Sequence, residues 1–97
     1  MKEGIRIRDL KSKGEKKLEV AGIFIEIGLI PNSDFAKKVA PFNHLGEIEV
    51  SCSNETSVAG LFAAGDVTNV PEKQIVVAAG EGAKASLQAH RYLQRLA

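Results

Sequence analysis

Cysteine, proline and aromatic residues are scarce in this sequence, and the scarcity of cysteine excludes one kind of chemistry. The 97 residues include one cysteine, three prolines and no tryptophan. A single thiol cannot form an intrachain disulfide or cycle as a dithiol, so any dithiol chemistry must come from elsewhere. Cys52 alternates with polar residues in "EVSCSNET", and we expect a structural or incidental role for it.

Long apolar runs, metal-ligand spacing and an excess of one charge are lacking as well. No apolar run approaches the roughly 18 residues of a membrane span, and the first ten residues lack the core of a signal peptide. His44 and His90 lie in unrelated contexts, so no metal site is expected. The formal net charge of +1 gives no bulk attraction to nucleic acid or membranes. We therefore expect a cytoplasmic protein that binds neither, and an accidental glycosylation sequon at residues 54–56.

The order of the patterns predicts an α/β chain of short strands followed by one long helix. "GIRIRDL" and "KLEVAGIFIEIGL" read as a β-hairpin around the charged loop "KSKGEKK". Residues 31–33 form a turn that can cap a short helix, and the chain returns through Gly46 into another strand. This organisation fits at most one small domain.

An acid follows directly after a short apolar run. "VAGLFAAG" is typical of a strand buried on both faces of a parallel sheet, and Asp66 comes just beyond it. Ligands of open α/β sheets bind outside the carboxyl ends of the strands, where a carboxylate can accept hydrogen bonds from sugar-type hydroxyls. Spacing alone leaves a second interpretation open, in which Asp66 only begins a turn.

The predicted helix runs from about Lys73 to Arg95. Its first residues would present unpaired backbone N–H groups beside Asp66. Gly80 and Gly82 weaken a helix, so we expect the small-residue stripe to pack closely against a strand or a ligand. That predicted stripe consists of Ile75, Ala78, Gly82, Ala85, Ala89, Leu93 and Leu96.

A competing interpretation exists for the same letters. Residues 80–85 satisfy the G-x-G-x-x-A dinucleotide fingerprint, with "QIVVAA" as the strand before it. A true fingerprint also needs a second strand after the helix and an acidic residue about 20 positions on, and neither follows here. We favour the single long helix.

Two segments together resemble the C-terminal end of the thioredoxin reductase family of flavoproteins. "GIFIEIGLIPNSDF" carries G-I-F-x-x-I-G-x-x-P-N, and "GLFAAGDVTNVPEKQIVVAAGEGAKASLQAHRYL" carries G-x-F-A-A-G-D-V followed by K-Q-I. Within the family they are most similar to the flavoprotein reductase subunit of alkyl hydroperoxide reductase. The resemblance covers nearly the whole chain and implies part of a Rossmann-like FAD/NAD(P)-binding fold of a class II pyridine nucleotide-disulfide oxidoreductase.

The resemblance also assigns domains and cofactor contacts. Residues 1–30 correspond to the end of the pyridine-nucleotide domain and the crossover, and residues 31–97 to the C-terminal segment of the FAD-binding domain. By this resemblance, the Asp66 position is expected to bind the FAD ribityl chain, and backbone N–H groups at Gln74 and Ile75 to face the N1/C2 carbonyl edge of the flavin. The implied cofactor-binding residues are Gly65, Asp66, Lys73, Gln74 and Ile75.

One substitution departs from the family pattern. Lys73 stands where thioredoxin reductases usually have arginine, and lysine is a point donor rather than a planar fork. This position is closer to the pattern of the peroxide-reductase subunit.

The resemblance implies hydride transfer from NAD(P)H to FAD, then reduction of a cysteine pair and of a thioredoxin-like or peroxiredoxin carrier, in a homodimer when complete. Apart from the isolated match at residues 80–85, the chain lacks the G-x-G-x-x-A for NAD(P)H, and it lacks the first G-x-G-x-x-G for FAD and the C-x-x-C pair. We therefore expect it to be inactive without an N-terminal portion or a partner chain. Two alternatives remain: a ferredoxin- or flavodoxin-NADP reductase of the same fold, or a non-catalytic module that completes a separately encoded partner.

Overall fold

The computed structural model describes residues 3–97 and contains two strands, one short 3-10 turn and one long helix. Strand β1 spans Gly4–Arg8 and strand β2 spans Glu15–Glu19. The 3-10 turn is Asp34–Ala36, and helix α1 is Ile75–Leu96. Helix α1 is therefore the only long regular element in the described part of the chain.

Strands β1 and β2 form the predicted hairpin. They pair antiparallel with a register that runs from Gly4 opposite Glu19 to Arg8 opposite Glu15. Arg8 also donates to the Glu15 carboxylate, with Nη2 and Oε1 2.5 Å apart. The loop between the strands closes on Asp9, whose carboxylate accepts backbone N–H bonds and whose pKa is lowered by them. The charged loop thus acts as a hydrogen-bonded turn.

The second predicted strand is longer than the observed one. Strand β2 ends at Glu19, whereas the apolar pattern continues to residue 30. Residues 20–30 form no strand, and Phe24 and Ile30 are each 96% exposed. A β-run needs a neighbouring strand to bond with, and no described strand lies beside these residues. The prediction of a strand beyond Glu19 is therefore wrong for this structure.

The core of the remaining chain is small. Ala36, Ala40 and Ile48 are buried, and the half-buried side chains that pack on them are Phe42, Val50, Leu61, Ala63 and Val67. Isolated β-bridges join Phe42 to Ile48, Ile48 to Thr68, and Glu55 to Phe62. These contacts bring the acid-bearing turn after Ala64 next to the loop that precedes Ile48.

The strands predicted within residues 47–50 and 58–65 are present only as those bridges. Gly60 and Gly65 have φ angles of +81° and +85°, which bend the backbone at both ends of the apolar run. The Leu61 N–H donates to the Val58 carbonyl, as in a turn. An apolar run indicates burial but supplies no partner strand, so a ladder does not form here.

The predicted short helix is a single 3-10 turn. Ser33 occupies its N-cap position, but the Ser33 hydroxyl makes no capping bond. It donates instead to the carbonyl of Gly46, at 2.6 Å between the oxygens. The side chain thereby ties the turn to the loop that leads into Ile48.

Helix α1 confirms the predicted helix, but the face that packs against the rest of the chain differs from the predicted stripe. It begins at Ile75, two residues after the predicted start, and includes the segment that the dinucleotide fingerprint requires as a strand. Ile75 is 91% exposed, and Gly82 is exposed with nothing within 4 Å of an added Cβ. The half-buried residues are Val77, Ala78, Glu81, Lys84, Ala85, Gln88, Ala89 and Tyr92. The packed stripe is rotated from the predicted one because Glu81 and Tyr92 have partners on this side.

The chain does not close around a single core. Its radius of gyration is 20.2 Å, against about 13 Å for a compact domain of 100 residues. Neither hairpin strand contacts helix α1 or the 3-10 turn. Many large apolar side chains are exposed, among them Phe24, Ile27, Phe35, Ile75 and Leu93. This surface is what we expect of a polypeptide that packs against further protein.

Candidate functional site

The turn that carries Asp66 is held from inside by a buried threonine. The hydroxyl of Thr68 donates to the carbonyl of Gly65 at 2.8 Å, and the Thr68 N–H donates to the same oxygen at 3.0 Å. Thr68 is completely buried. Asp66 is exposed at the outside of this turn. The hydrogen-bonded turn thus leaves the Asp66 carboxylate on the surface, where a ligand can reach it.

The same turn lies against the beginning of helix α1. A Cβ added to Gly65 would stand 3.6 Å from the Ala78 side chain, in the first turn of the helix. Gln74 has extended backbone at the N-cap, and its carbonyl accepts the Ala78 N–H at 2.9 Å. The amides at the start of a helix have no intrahelical acceptor and carry a partial positive charge. The structure therefore places Gly65 against the first turn of α1, with Asp66 next to it in the chain.

Lys73 has partners within the protein. Its ammonium forms an ion pair with Glu47, at 3.0 Å between Nζ and Oε1, and donates to the carbonyl of Thr68. Glu47 also accepts a hydrogen bond from Asn43, at 2.8 Å, and this bond, followed by that of Lys73, lowers the pKa of Glu47. Sequence reasoning missed Glu47, because nothing in the spacing of "HLGEIEV" points to a lysine so distant along the chain.

Asn54 is a second residue that sequence reasoning missed. It is completely buried and has a φ of +60°, a conformation that asparagine adopts more readily than most residues. Its Nδ2 donates to the Glu81 carboxylate on helix α1 and to the Ala63 carbonyl, at 2.5 and 3.1 Å. Its Oδ1 has no partner. Hydrogen bonds from Lys84 and then Asn54 lower the pKa of Glu81.

This burial bears on the glycosylation sequon. The amide nitrogen that a glycan would occupy is enclosed and donates two hydrogen bonds in the folded chain. A glycan on this nitrogen would break both hydrogen bonds of the folded chain.

Residues 3–97 contain no group of three or more metal-ligating side chains, and no described helix has the length and apolarity to cross a bilayer. Cys52 is exposed and unpaired with another cysteine. The turn of Asp66 and the first turn of α1, which meet at Gly65 and Ala78, are the candidate site.

A matched pair of glycine substitutions tests the geometry of this site. Gly65→Ala should destabilise the protein that carries this chain by about 1–2 kcal/mol, because residue 65 has a left-handed φ of +85°. Gly82→Ala should stabilise it by up to about 1 kcal/mol, because an exposed helical glycine is replaced by a better helix former. Thermal or denaturant unfolding measures both. Equal shifts of the same sign would contradict the placement of the two residues.

Comparisons with known proteins relate this chain to a family of enzymes. The sequence profile described as "Pyridine nucleotide-disulphide oxidoreductase" matches residues 2–82. A subunit of the alkyl hydroperoxide reductase of Escherichia coli (strain K12) is 50% identical over 92 residues, which are 95% of this chain and 18% of that protein. The chain therefore spans less than a fifth of the length of this curated relative.

Solved structures of similar proteins share the fold. Thioredoxin reductase from T. acidophilum superimposes with a TM-score of 0.84 at 38% identity, over 97% of this chain and 31% of that one. Thioredoxin reductase from Lactococcus lactis gives 0.86 at 28% identity, over 95% and 30%. These are similarities to α/β enzymes of Rossmann-like fold, as the sequence predicted. By the profile that matches most of its length, this chain belongs to the pyridine nucleotide-disulphide oxidoreductase family.

Proposed function

We propose that this chain forms the flavin-side wall of an FAD-dependent, NAD(P)H-oxidising disulfide reductase. The observation that carries the proposal is the exposed Asp66 on a rigid turn packed against the first turn of helix α1. In the larger protein, hydride would pass from NAD(P)H to FAD, then electrons to a cysteine pair and to a thioredoxin-like or peroxiredoxin carrier. The names of the relatives support this chemistry.

The residues present fit a flavin with its ribityl chain. An exposed carboxylate such as Asp66 has two acceptor oxygens for ribityl hydroxyls. Backbone amides at Gln74 and Ile75 would face the N1/C2 carbonyl edge, where a helix N-terminus stabilises negative charge. Gly65 contributes the left-handed turn that lets the acid and the helix adjoin. The bound flavin would supply the hydride acceptor, and this chain would orient it.

The division of the chain into two domain segments is part of the proposal. Residues 1–30 would belong to the pyridine-nucleotide domain and the crossover, and residues 31–97 to the FAD-binding domain. The separation of the hairpin strands from helix α1 supports this division. The exposed apolar side chains support the need for further polypeptide, in a protein that we propose to be a cytoplasmic homodimer.

A hybrid enzyme gives this proposal a direct test. In the hybrid, this chain replaces the matching 92-residue stretch of the E. coli reductase subunit. Asp66→Ala in the hybrid should weaken FAD retention by about 1.5–3 kcal/mol, because a charge-assisted hydrogen bond is lost. FAD release on dialysis, followed by visible absorbance, measures the effect.

Glu72→Ala is the matched control, since Glu72 is also an exposed acid in the segment before α1. It should leave FAD retention unchanged. Equal FAD occupancy in the Asp66 variant and the unsubstituted hybrid would contradict the role proposed for Asp66.

A further inference from the structure

Lys73 connects three parts of the chain that meet at the candidate site. It lies just before helix α1, while its ammonium reaches Glu47 in one loop and the Thr68 carbonyl in the turn of Asp66. The side chains of Lys73 and Glu47 are only 16% and 15% exposed. An ion pair this sheltered is screened less by solvent than one on the open surface. Lys73 can therefore hold the helix start against both loops.

Glu47 is itself fixed in place. Its second oxygen accepts the Asn43 side-chain amide, and Asn43 Oδ1 accepts the N–H groups of Leu45 and Glu47 at 2.9 and 3.0 Å. The loop of residues 43–47 is thus a closed hydrogen-bonded turn. The Glu47 carboxylate that pairs with Lys73 is therefore held in place by the hydrogen bonds of this loop.

We propose that Lys73 is a positioning residue, which sets the flavin environment through Glu47 and the Thr68 carbonyl rather than by direct contact with the cofactor. This inference rests on the proposed function. Two of the three donors of the ammonium are engaged within the protein. Removing Lys73 would release the start of α1 from the turn of Asp66, and removing Glu47 would free the ammonium that makes this contact. The free amides of the helix would then be less well aimed at the flavin.

The two possible roles of Lys73 predict opposite signs for one measurement. A lysine acting as a charge beside the flavin stabilises its reduced, more negative form, and Glu47 opposes that effect. Removing Lys73 would then lower the flavin potential, and removing Glu47 would raise it. A positioning lysine acts together with Glu47, so removal of either lowers the potential.

The experiment compares Lys73→Met and Glu47→Met in the hybrid by redox titration of the bound flavin. Both variants should lower the midpoint potential of the bound flavin by about 30 mV. This shift corresponds to a tenfold change in a two-electron reduction equilibrium. The double variant should show no further shift. Lys73→Arg, which keeps the ion pair, should retain the potential of the unsubstituted hybrid.

Lys84→Met is the matched control, because Lys84 is also paired with a glutamate, Glu81, at 2.9 Å. It should leave the potential unchanged. A positive shift in Glu47→Met would overturn the inference even if Lys73→Met failed to fold. An unsubstituted hybrid that folds without flavin would instead contradict the proposed function, and this inference with it.

Discussion

Asn54→Asp is expected to destabilise the hybrid by about 3–5 kcal/mol at neutral pH, because it buries an unpaired charge. The new carboxylate would be enclosed and would face the Glu81 carboxylate and the Ala63 carbonyl, both of which now accept from the Asn54 amide. Aspartate tolerates the left-handed backbone at this position, so the effect isolates the charge. Thermal melting measures it.

The pH dependence of this variant has a definite sign. Burial and the neighbouring Glu81 raise the pKa of a carboxyl at residue 54 above its unfolded value. The destabilisation should therefore shrink as the pH falls and the new carboxyl takes up a proton.

Asn69→Asp is the control for the new charge. Asn69 is exposed and its Oδ1 accepts the Val50 N–H, a bond that aspartate keeps. It should melt close to the unsubstituted hybrid. Similar melting temperatures of the two variants at neutral pH would contradict the buried hydrogen bond between Asn54 and Glu81 of helix α1.

The second large effect concerns the chain by itself. Expressed as 97 residues, it is expected to purify colourless and to catalyse no NAD(P)H-dependent disulfide reduction. Hydride transfer needs the two cofactors held near contact, and this chain offers one wall of one site. Cys52, which has no cysteine partner here, cannot cycle as a dithiol.

Self-association is expected for the same isolated chain, because Phe24, Ile30 and Phe35 are among many exposed apolar side chains. Size-exclusion chromatography with visible absorbance and an NADPH-oxidation assay measures all three properties. A yellow monomer that oxidises NADPH with a disulfide acceptor would show that the chain needs no further polypeptide.

Local signals in the sequence were enough to predict helix α1, whereas spacing alone left open whether Asp66 faces a ligand or only begins a turn. The helix has a sustained periodicity, and its observed bounds, Ile75–Leu96, differ from the predicted ones by two residues or fewer. Gly65 marks the turn because a left-handed φ suits glycine. The helix depends on neighbours in sequence, so the spacing of residues carries the information for it.

The hydrogen bond between Asn54 and Glu81 and the ion pair between Lys73 and Glu47 could not be predicted in this way. Asn54 and Glu81 are 27 residues apart, and Lys73 meets Glu47 only after the loops have folded together. Periodicity indicates which residues lie on one face but not which residue lies opposite. The rotated face of α1 has the same origin, because Glu81 and Tyr92 face partners that the helix pattern cannot identify.

The missing strands have a related cause. Apolar runs after Glu19 and around Leu61 indicate burial, but a strand also needs a neighbour to accept its hydrogen bonds. Among residues 3–97, β1 and β2 alone find such a neighbour. The run around Leu61 closes into turns, and the run after Glu19 has no neighbouring strand among these residues.

Flavin content of the unsubstituted hybrid tests the central claim most directly. If this chain supplies the flavin-side wall, the hybrid should purify with about one FAD per polypeptide, measured from the visible spectrum against protein concentration. The parent E. coli reductase subunit, prepared in parallel, gives the reference occupancy. A hybrid that melts cooperatively like its parent but holds no FAD would contradict the claim.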